Sequence, residues 1–243
     1  MTGDVSGVVR TNRSAAITMF SSFLYAYGTD FDKDGKSLIN TPEARAACDM
    51  YSSLLRDAGP DKLSDDMWWP EAMELFTSGK AAFYVEADSL YKNATNPEKS
   101  QIADTVSFAP FPEGPGGYHA TNVPPWTLGI NVSSPHRDAA WKFIRWVTGK
   151  EMSLKLQQEG NPCARKSVWD NPSAAANDPA DLAAESKGSA EGGVGYDRPL
   201  VVDVGKARNI VGQPIVDGLA GKDVNKSVDV AHEAYQKFLD SES

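Results

Sequence analysis

VPPWTLGINVSSPHRDAAWKFIRWVTGKEMSLKLQQEGNPCARKS, residues 123–167, sets an apolar extended segment, a turn and two helices in one uninterrupted run. Residues 126–132 (WTLGINV) read as a strand that opens on an aromatic side chain behind Pro124-Pro125. Ser133-Ser134-Pro135 interrupts it. Ala139, Ala140, Phe143, Ile144 and Val147 then recur at helical spacing, which predicts a helix over 136–149 with these residues on one packed face. Trp141 and Trp146 lie on the same helix and are expected in core or flank packing. A second helix, 150–158, follows Gly149 at once. Strand followed by helix points to an α/β fold.

Upstream, residues 14–27 (SAAITMFSSFLYAY) carry Ile17, Phe20, Phe23 or Leu24, and Tyr27 near helical spacing, with Gly28 at the expected C-cap. A polar turn over 29–40 leads to Thr41-Pro42-Glu43, where Thr41 is the N-cap and Pro42 the first helical residue. That helix presents Ala44, Ala47, Cys48, Tyr51, Leu54 and Leu55 and ends before Gly59-Pro60. A third helix is expected over 70–78, closed by Gly79, then a buried strand at 81–85, a helical stretch at 89–94 and a strand at 106–109. Downstream, 171–195 reads as a loop or poorly packed helix, and helices at 203–220 and 225–240 finish the chain. Three or four strands are few for a parallel sheet, so part of the sheet is expected to lie outside this chain.

The 243 residues are 41% hydrophobic and 23% charged, a balance that fits a soluble globular protein rather than a disordered one. A net charge of -9 repels phosphate backbones and disfavours non-specific nucleic-acid or anionic-membrane binding. No apolar run approaches the roughly 18 to 20 residues that span a bilayer. Residues 1–13 lack the basic, apolar and small-residue regions of a signal peptide. Cys48 and Cys163 form neither a disulfide framework nor a metal knuckle and are read as free or weakly structural.

No G-x-S-x-G, H-E-x-x-H, P-loop or G-x-G-x-x-G occurs, and His119, His136 and His232 stand in unrelated settings, so neither a cofactor nor a metal is implied. Asp30, Asp32, Asp34 and Gly35 imitate a calcium loop, but its twelfth position is Pro42 rather than Glu, which favours a solvated turn. Glu86 and Asp88 could form a glycosidase acid/base pair if they faced each other across a sugar. Trp126 could stack on the apolar face of a sugar or polyol, or simply pack.

Four stretches together resemble the family 1 extracellular solute-binding proteins, the receptors of carbohydrate-importing ABC transporters. They are FSSFLYAYGTDFDKDGKSLINTPEARAACDMYSSLL (20–55), ELFTSGKAAFYVEADSLY (74–91), the run 123–167, and RPLVVDVGKARNIVGQPIVDGLAGKDVNKSVDVAHEAYQKFL (198–239), in the family's order. The Trp-rich approach to G-K-A-A and Asn96-Pro97-Glu98-Lys99-Ser100 are similar to its sorbitol/mannitol-type subgroup. The resemblance implies a helix-rich α/β, periplasmic-binding-protein-like (type II) two-lobed fold with an incomplete first lobe. Residues 1–110 would form the second lobe, and 111–243 the hinge-crossing strands and C-terminal helices of the first.

It also implies a non-catalytic receptor that binds a sugar or polyol between lobes and delivers it to ABC permease subunits in the periplasm or outside the cell. The implied contacts are Trp126 for stacking, Glu86 and Asp88 after the G-K-A-A strand, Arg165 in Pro-Cys-Ala-Arg-Lys-Ser, and Arg10 and Asn12 before the first helix. Met1 would already stand in the second lobe, making the missing N-terminal portion of the same protein a further partner. The competing expectations are a glycoside hydrolase using Glu86 and Asp88, and a truncated fragment with no ligand binding of its own.

Overall fold

A computed structural model describes residues 7–60, 64–117 and 121–242. His119 and residues 1–6 lie outside them. The chain begins with β1 (Gly7–Val8) and α1 (Ala16–Ala26), and every residue of α1 is buried. A helix so enclosed must satisfy its polar groups locally. Asn12 Oδ1 accepts from Ser14 N at 3.1 Å and Ala15 N at 2.9 Å, while Gly28, at φ 78°, turns the chain at the other end. Ser21 Oγ donates to Thr18 O at 2.8 Å, and the Asn122 amide donates to Thr18 O and to the Ser21 and Ser22 hydroxyls.

The acidic turn is a hairpin, β2 (Asp32–Lys33) antiparallel to β3 (Lys36–Ser37). Asp34 and Gly35 both have positive φ, as a tight two-residue hairpin turn requires. The next helix is α2 (Pro42–Ala58), and Thr41 Oγ1 accepts from Ala44 N at 3.2 Å, the cap its sequence announces. Tyr51 is fully buried with edge-on contacts to Phe20 and Phe23. α3 (Trp69–Thr77) leads to β4 (Phe83–Tyr84), which pairs parallel with β1, Gly7 opposite Phe83 and Val8 opposite Tyr84. A small core of Val8, Met67, Ala72 and Ala81 lies beneath them. Short α4 (Tyr91–Thr95) follows.

Beyond residue 110 come α5 (Arg137–Val147), α6 (Lys150–Gln158), α7 (Lys166–Trp169), α8 (Ala180–Gly192), α9 (Val204–Val211), α10 (Gln213–Leu219) and α11 (Val224–Glu242). The last three close over α1 and α2. The main core joins Phe20, Tyr51 and Leu55 to Ile215, Tyr235 and Phe238, and so runs across the division expected at residue 110. The single helix expected over 203–220 is two helices, bent at Gly212. A Cβ there would stand 1.9 Å from the Arg13 carbonyl oxygen, so only glycine lets this corner seat on the chain before α1.

Four expectations are corrected. The strand at 81–85 shrinks to two residues, and 106–109 is not a strand, because Phe108 N donates to the Asp181 carboxylate at 2.8 Å instead of a ladder. Residues 126–132 form no strand either: no neighbouring strand among the described residues takes up their N–H groups. The helix after them has the expected limits but no buried residue; Trp141 is 53%, Phe143 54% and Trp146 58% exposed, so neither tryptophan is core. Replacing the Thr41 hydroxyl (Thr41→Ala) is expected to cost about 1 kcal/mol in urea unfolding, since only one cap is lost. Gly212→Ala is expected to cost more, because backbone rather than a side chain must move.

Candidate functional site

Residues 10–12 run from β1 to α1 and are held on both sides. Thr11 N and Asn12 N donate to Met67 O at 3.0 and 2.9 Å, and Thr11 Oγ1 both donates to Ser64 O and accepts from Met67 N. The Asn12 amide donates to Asp66 at 2.5 Å while its oxygen caps α1. Arg10, just before them, points its guanidinium at Glu86, just past β4. Nε meets Oε2 at 2.7 Å and Nη2 meets Oε1 at 2.5 Å, a two-bond fork with the side chains only 14% and 4% exposed.

Glu86 Oε2 also accepts from Tyr84 OH at 3.0 Å and Oε1 from Ala87 N at 2.9 Å, so both carboxylate oxygens are fully engaged. Tyr51 OH donates to the Arg10 carbonyl at 2.7 Å. Burial alone would lower the Arg10 pKa, but the Glu86 hydrogen bond and charge outweigh it and hold it above the ordinary value. Burial, with Glu86 nearby, pushes the Tyr84 phenol far up and keeps it protonated.

A second polar group borders the same end of α1. Arg208, on α9, donates from Nε to Ser14 O at 2.8 Å and from Nη2 to Thr18 Oγ1 at 3.0 Å. Asp197, whose carboxylate is forked to Arg198, acts electrostatically on the same Arg208. Burial would raise the Asp197 pKa, but Arg198, Thr18 and Arg208 together keep it below the ordinary carboxylate range. Sequence reasoning missed all three residues. The only local signal is the polar Tyr196-Asp197-Arg198 run before Pro199, which has no diagnostic spacing.

Of the six sequence candidates, the structure brings Arg10, Glu86 and Asn12 to one strap of chain. Asp88 lies two residues from Glu86 yet accepts from Ser186 Oγ of α8 at 2.7 Å, so the two carboxylates have separate partners. Arg165 donates to Thr148 O at 2.6 Å on an exposed surface, and Trp126 is 98% exposed. Neither is hydrogen-bonded to the Arg10 cluster. A pocket of about 710 Å³ opens beside Asn12, lined also by Arg13, Asp66, Gln213 and the half-exposed Trp68.

Among the described residues no cluster of His, Cys, Asp and Glu could hold a metal ion. Asp30 instead accepts from Tyr196 OH, and Asp32 from Tyr235 OH at 2.5 Å. No helix among the described residues is long and apolar enough to cross a membrane. Both cysteines are free, Cys48 buried.

Because Arg10 and Glu86 are nearly dry, removing one charge leaves the other uncompensated. Glu86→Gln is expected to lose about 3 to 5 kcal/mol in denaturant unfolding, and the Arg10→Met/Glu86→Leu double variant to recover most of it.

Residues 7–153, more than half the chain, match the family described as bacterial extracellular solute-binding protein. The erythritol/L-threitol-binding protein of Mycolicibacterium smegmatis is 29% identical over 68% of this chain and 36% of its own length. The mannitol-binding protein of Pseudomonas aeruginosa is 32% identical over 54% and 30% respectively. The chain thus spans about a third of these curated relatives. Among solved structures, maltose-bound MalE3 of T. maritima superposes at TM-score 0.81 with 26% identity, over 97% of this chain and 61% of that one. A ribitol complex of an ABC transporter solute-binding protein from Agrobacterium radiobacter superposes at 0.82 with 23% identity, over 97% and 60%. The fold is the helix-rich periplasmic-binding-protein fold, represented over about 60% of the matched structures, and the chain belongs to the bacterial extracellular solute-binding protein family.

Proposed function

We propose that this chain forms one wall of a polyol- or sugar-binding cleft in the receptor of an ABC importer, working in the periplasm or outside the cell and handing ligand to permease subunits. The observation that carries this reading is the recurrence of open-chain polyols among the relatives: erythritol or threitol, mannitol and ribitol. Capture without chemistry fits the site. Both Glu86 oxygens are committed to Arg10, Tyr84 and Ala87 N, leaving no free base, and Asp88 is engaged elsewhere.

In this reading Arg10, Asn12, Glu86, Asp88, Arg165 and Trp126 line or brace the cleft. Glu86 fixes the Arg10 guanidinium, whose remaining N–H groups suit vicinal hydroxyls. The exposed Trp126 ring supplies the stacking surface. A complementary part of the fold covers the bare face of α5 and the extended 126–132 segment, consistent with matched structures that exceed this chain by roughly two fifths of their length. In this reading residues 9–55 and 207–239, which share one core, belong to one lobe.

Titration of the chain with erythritol, ribitol, mannitol and maltose, followed by tryptophan fluorescence and thermal shift, tests this. Saturable binding is expected for at least one polyol, with Trp126→Ala weakening it by about fivefold, the worth of about 1 kcal/mol of stacking. Silence across the panel, or release of reducing sugar from a glycoside, would overturn it. The exposed apolar face of α5 favours a second reading, an association module without ligand of its own. That reading predicts concentration-dependent self-association in sedimentation velocity, abolished by Trp141→Glu together with Trp146→Glu.

A further inference from the structure

The fold leaves Trp68 half exposed, at 49%, while Met67 before it is buried at 4%. The backbone at this point is clamped. Met67 O accepts from Thr11 N and Asn12 N, Met67 N donates to Thr11 Oγ1, and Trp68 N donates to Glu71 Oε2 at 3.0 Å. Met67 and Ala72 join the small core beneath β1 and β4, and Trp68 is left outside it. Nor does it lie on open surface, since it lines the pocket of about 710 Å³ beside Asn12. Trp126 does not line this pocket, and neither does Trp69, whose carbonyl accepts from Tyr84 OH.

Three segments converge on the pocket: residues 12–14 before α1, the loop carrying Asp65, Asp66 and Trp68, and Asn209, Gln213 and Val216 of α9 and α10. Arg13 donates from Nε to Asn209 Oδ1 at 3.2 Å and from Nη1 to Gln213 Oε1 at 2.8 Å. Both amides are tied in turn, Asn209 Nδ2 to Gly205 O at 3.0 Å and Gln213 Nε2 to Asp217 at 3.1 Å. Two helices thus aim one guanidinium from a wall of the cavity. Asp66 is fixed by the Asn12 amide. Among the described residues Arg13 forms no ion pair with Asp65 or Asp66, so donors and acceptors share the cavity without closing on each other.

This set matches a polyhydroxylated chain. A hydroxyl both donates and accepts, so neighbouring hydroxyls satisfy a guanidinium and a carboxylate together, while the C–H side of the same molecule covers an indole. The volume falls within the roughly 300 to 1,000 Å³ of small-molecule pockets. We propose that Trp68 and Arg13 are ligand contacts of this wall: the Trp68 ring stacks on the carbon chain of the polyol or sugar, and Arg13, with Asp65 and Asp66, takes its hydroxyls. This inference rests on the receptor reading above and assigns it a second stacking surface besides Trp126.

Isothermal titration of the chain with mannitol, ribitol and maltose tests it. For whichever binds, Trp68→Ala is expected to weaken binding about fivefold and Trp68→Phe to restore most of it. Arg13→Met is expected to weaken it by at least as much, and Trp69→Ala to leave it unchanged. Equal losses from Trp69→Ala and Trp68→Ala would mark a general loosening of the start of α3 and overturn the inference. Unaltered binding in Trp68→Ala overturns it while leaving the receptor reading intact, and the cavity then holds only water. If Trp68→Ala fails to fold, acrylamide quenching decides. Saturating ligand is expected to shield tryptophan emission more in the unaltered chain than in Trp68→Phe, and equal shielding overturns the inference. Binding of none of the three ligands overturns both.

Discussion

A helix enclosed on every side imposes order on whatever surrounds it, and α1 is such a helix. With all eleven of its residues buried, each polar atom on it needs a partner, and the partners come from distant parts of the chain. Asn12 caps its start, Asn122 reaches its serines, and Tyr196 O accepts from Tyr25 OH. Arg208 grips the carbonyl of Ser14. The C-terminal helices lie where they do because α1 and α2 expose apolar surface to them, and because Gly212 and Gly218 carry no Cβ to hold them away.

The geometry around Arg10 follows from the same enclosure. Residues 10–12 are a strap between a two-residue strand and a buried helix, so they cannot drift. The Arg10–Glu86 fork then links that strap to the end of β4. The fork is weak evidence for stability as such, because desolvation offsets much of its attraction. What it supplies is direction: a guanidinium held in one plane, its charge balanced, presents donors without a net charge. Arg208 lies close by, hydrogen-bonded to neutral oxygens and sharing the charge of Asp197 with Arg198.

How much of this could be read from the sequence depended on how local the cause was. Thr41-Pro42 specified the start of α2 because a cap is made within three residues, and Gly28 and Gly79 marked turns because positive φ is a local demand. The limits of α5 were legible for the same reason. Its surroundings were not, since periodicity reports that a face is apolar and says nothing of what covers it. The strands at 106–109 and 126–132 failed because a strand is a property of two segments, and propensity sees one. Arg10, Asn12 and Glu86 were each named as candidates, but the Arg10–Glu86 ion pair spans 76 residues and no local pattern announces it. Arg208 and Thr18, 190 residues apart, left no mark in either neighbourhood.

The core that joins Tyr51 and Leu55 to Ile215 and Tyr235 has a consequence for the chain's birth. On a ribosome adding about 5 to 20 residues per second, roughly 8 to 30 seconds separate the appearance of α2 from that of the helices that seal it. Throughout that interval α1, buried around its whole circumference in the finished fold, has no complete cover. Closing such a distant contact is also entropically slow. A nascent chain built this way is a natural client for factors that shield apolar segments, and its order of synthesis rather than its final stability sets when it is most exposed to aggregation.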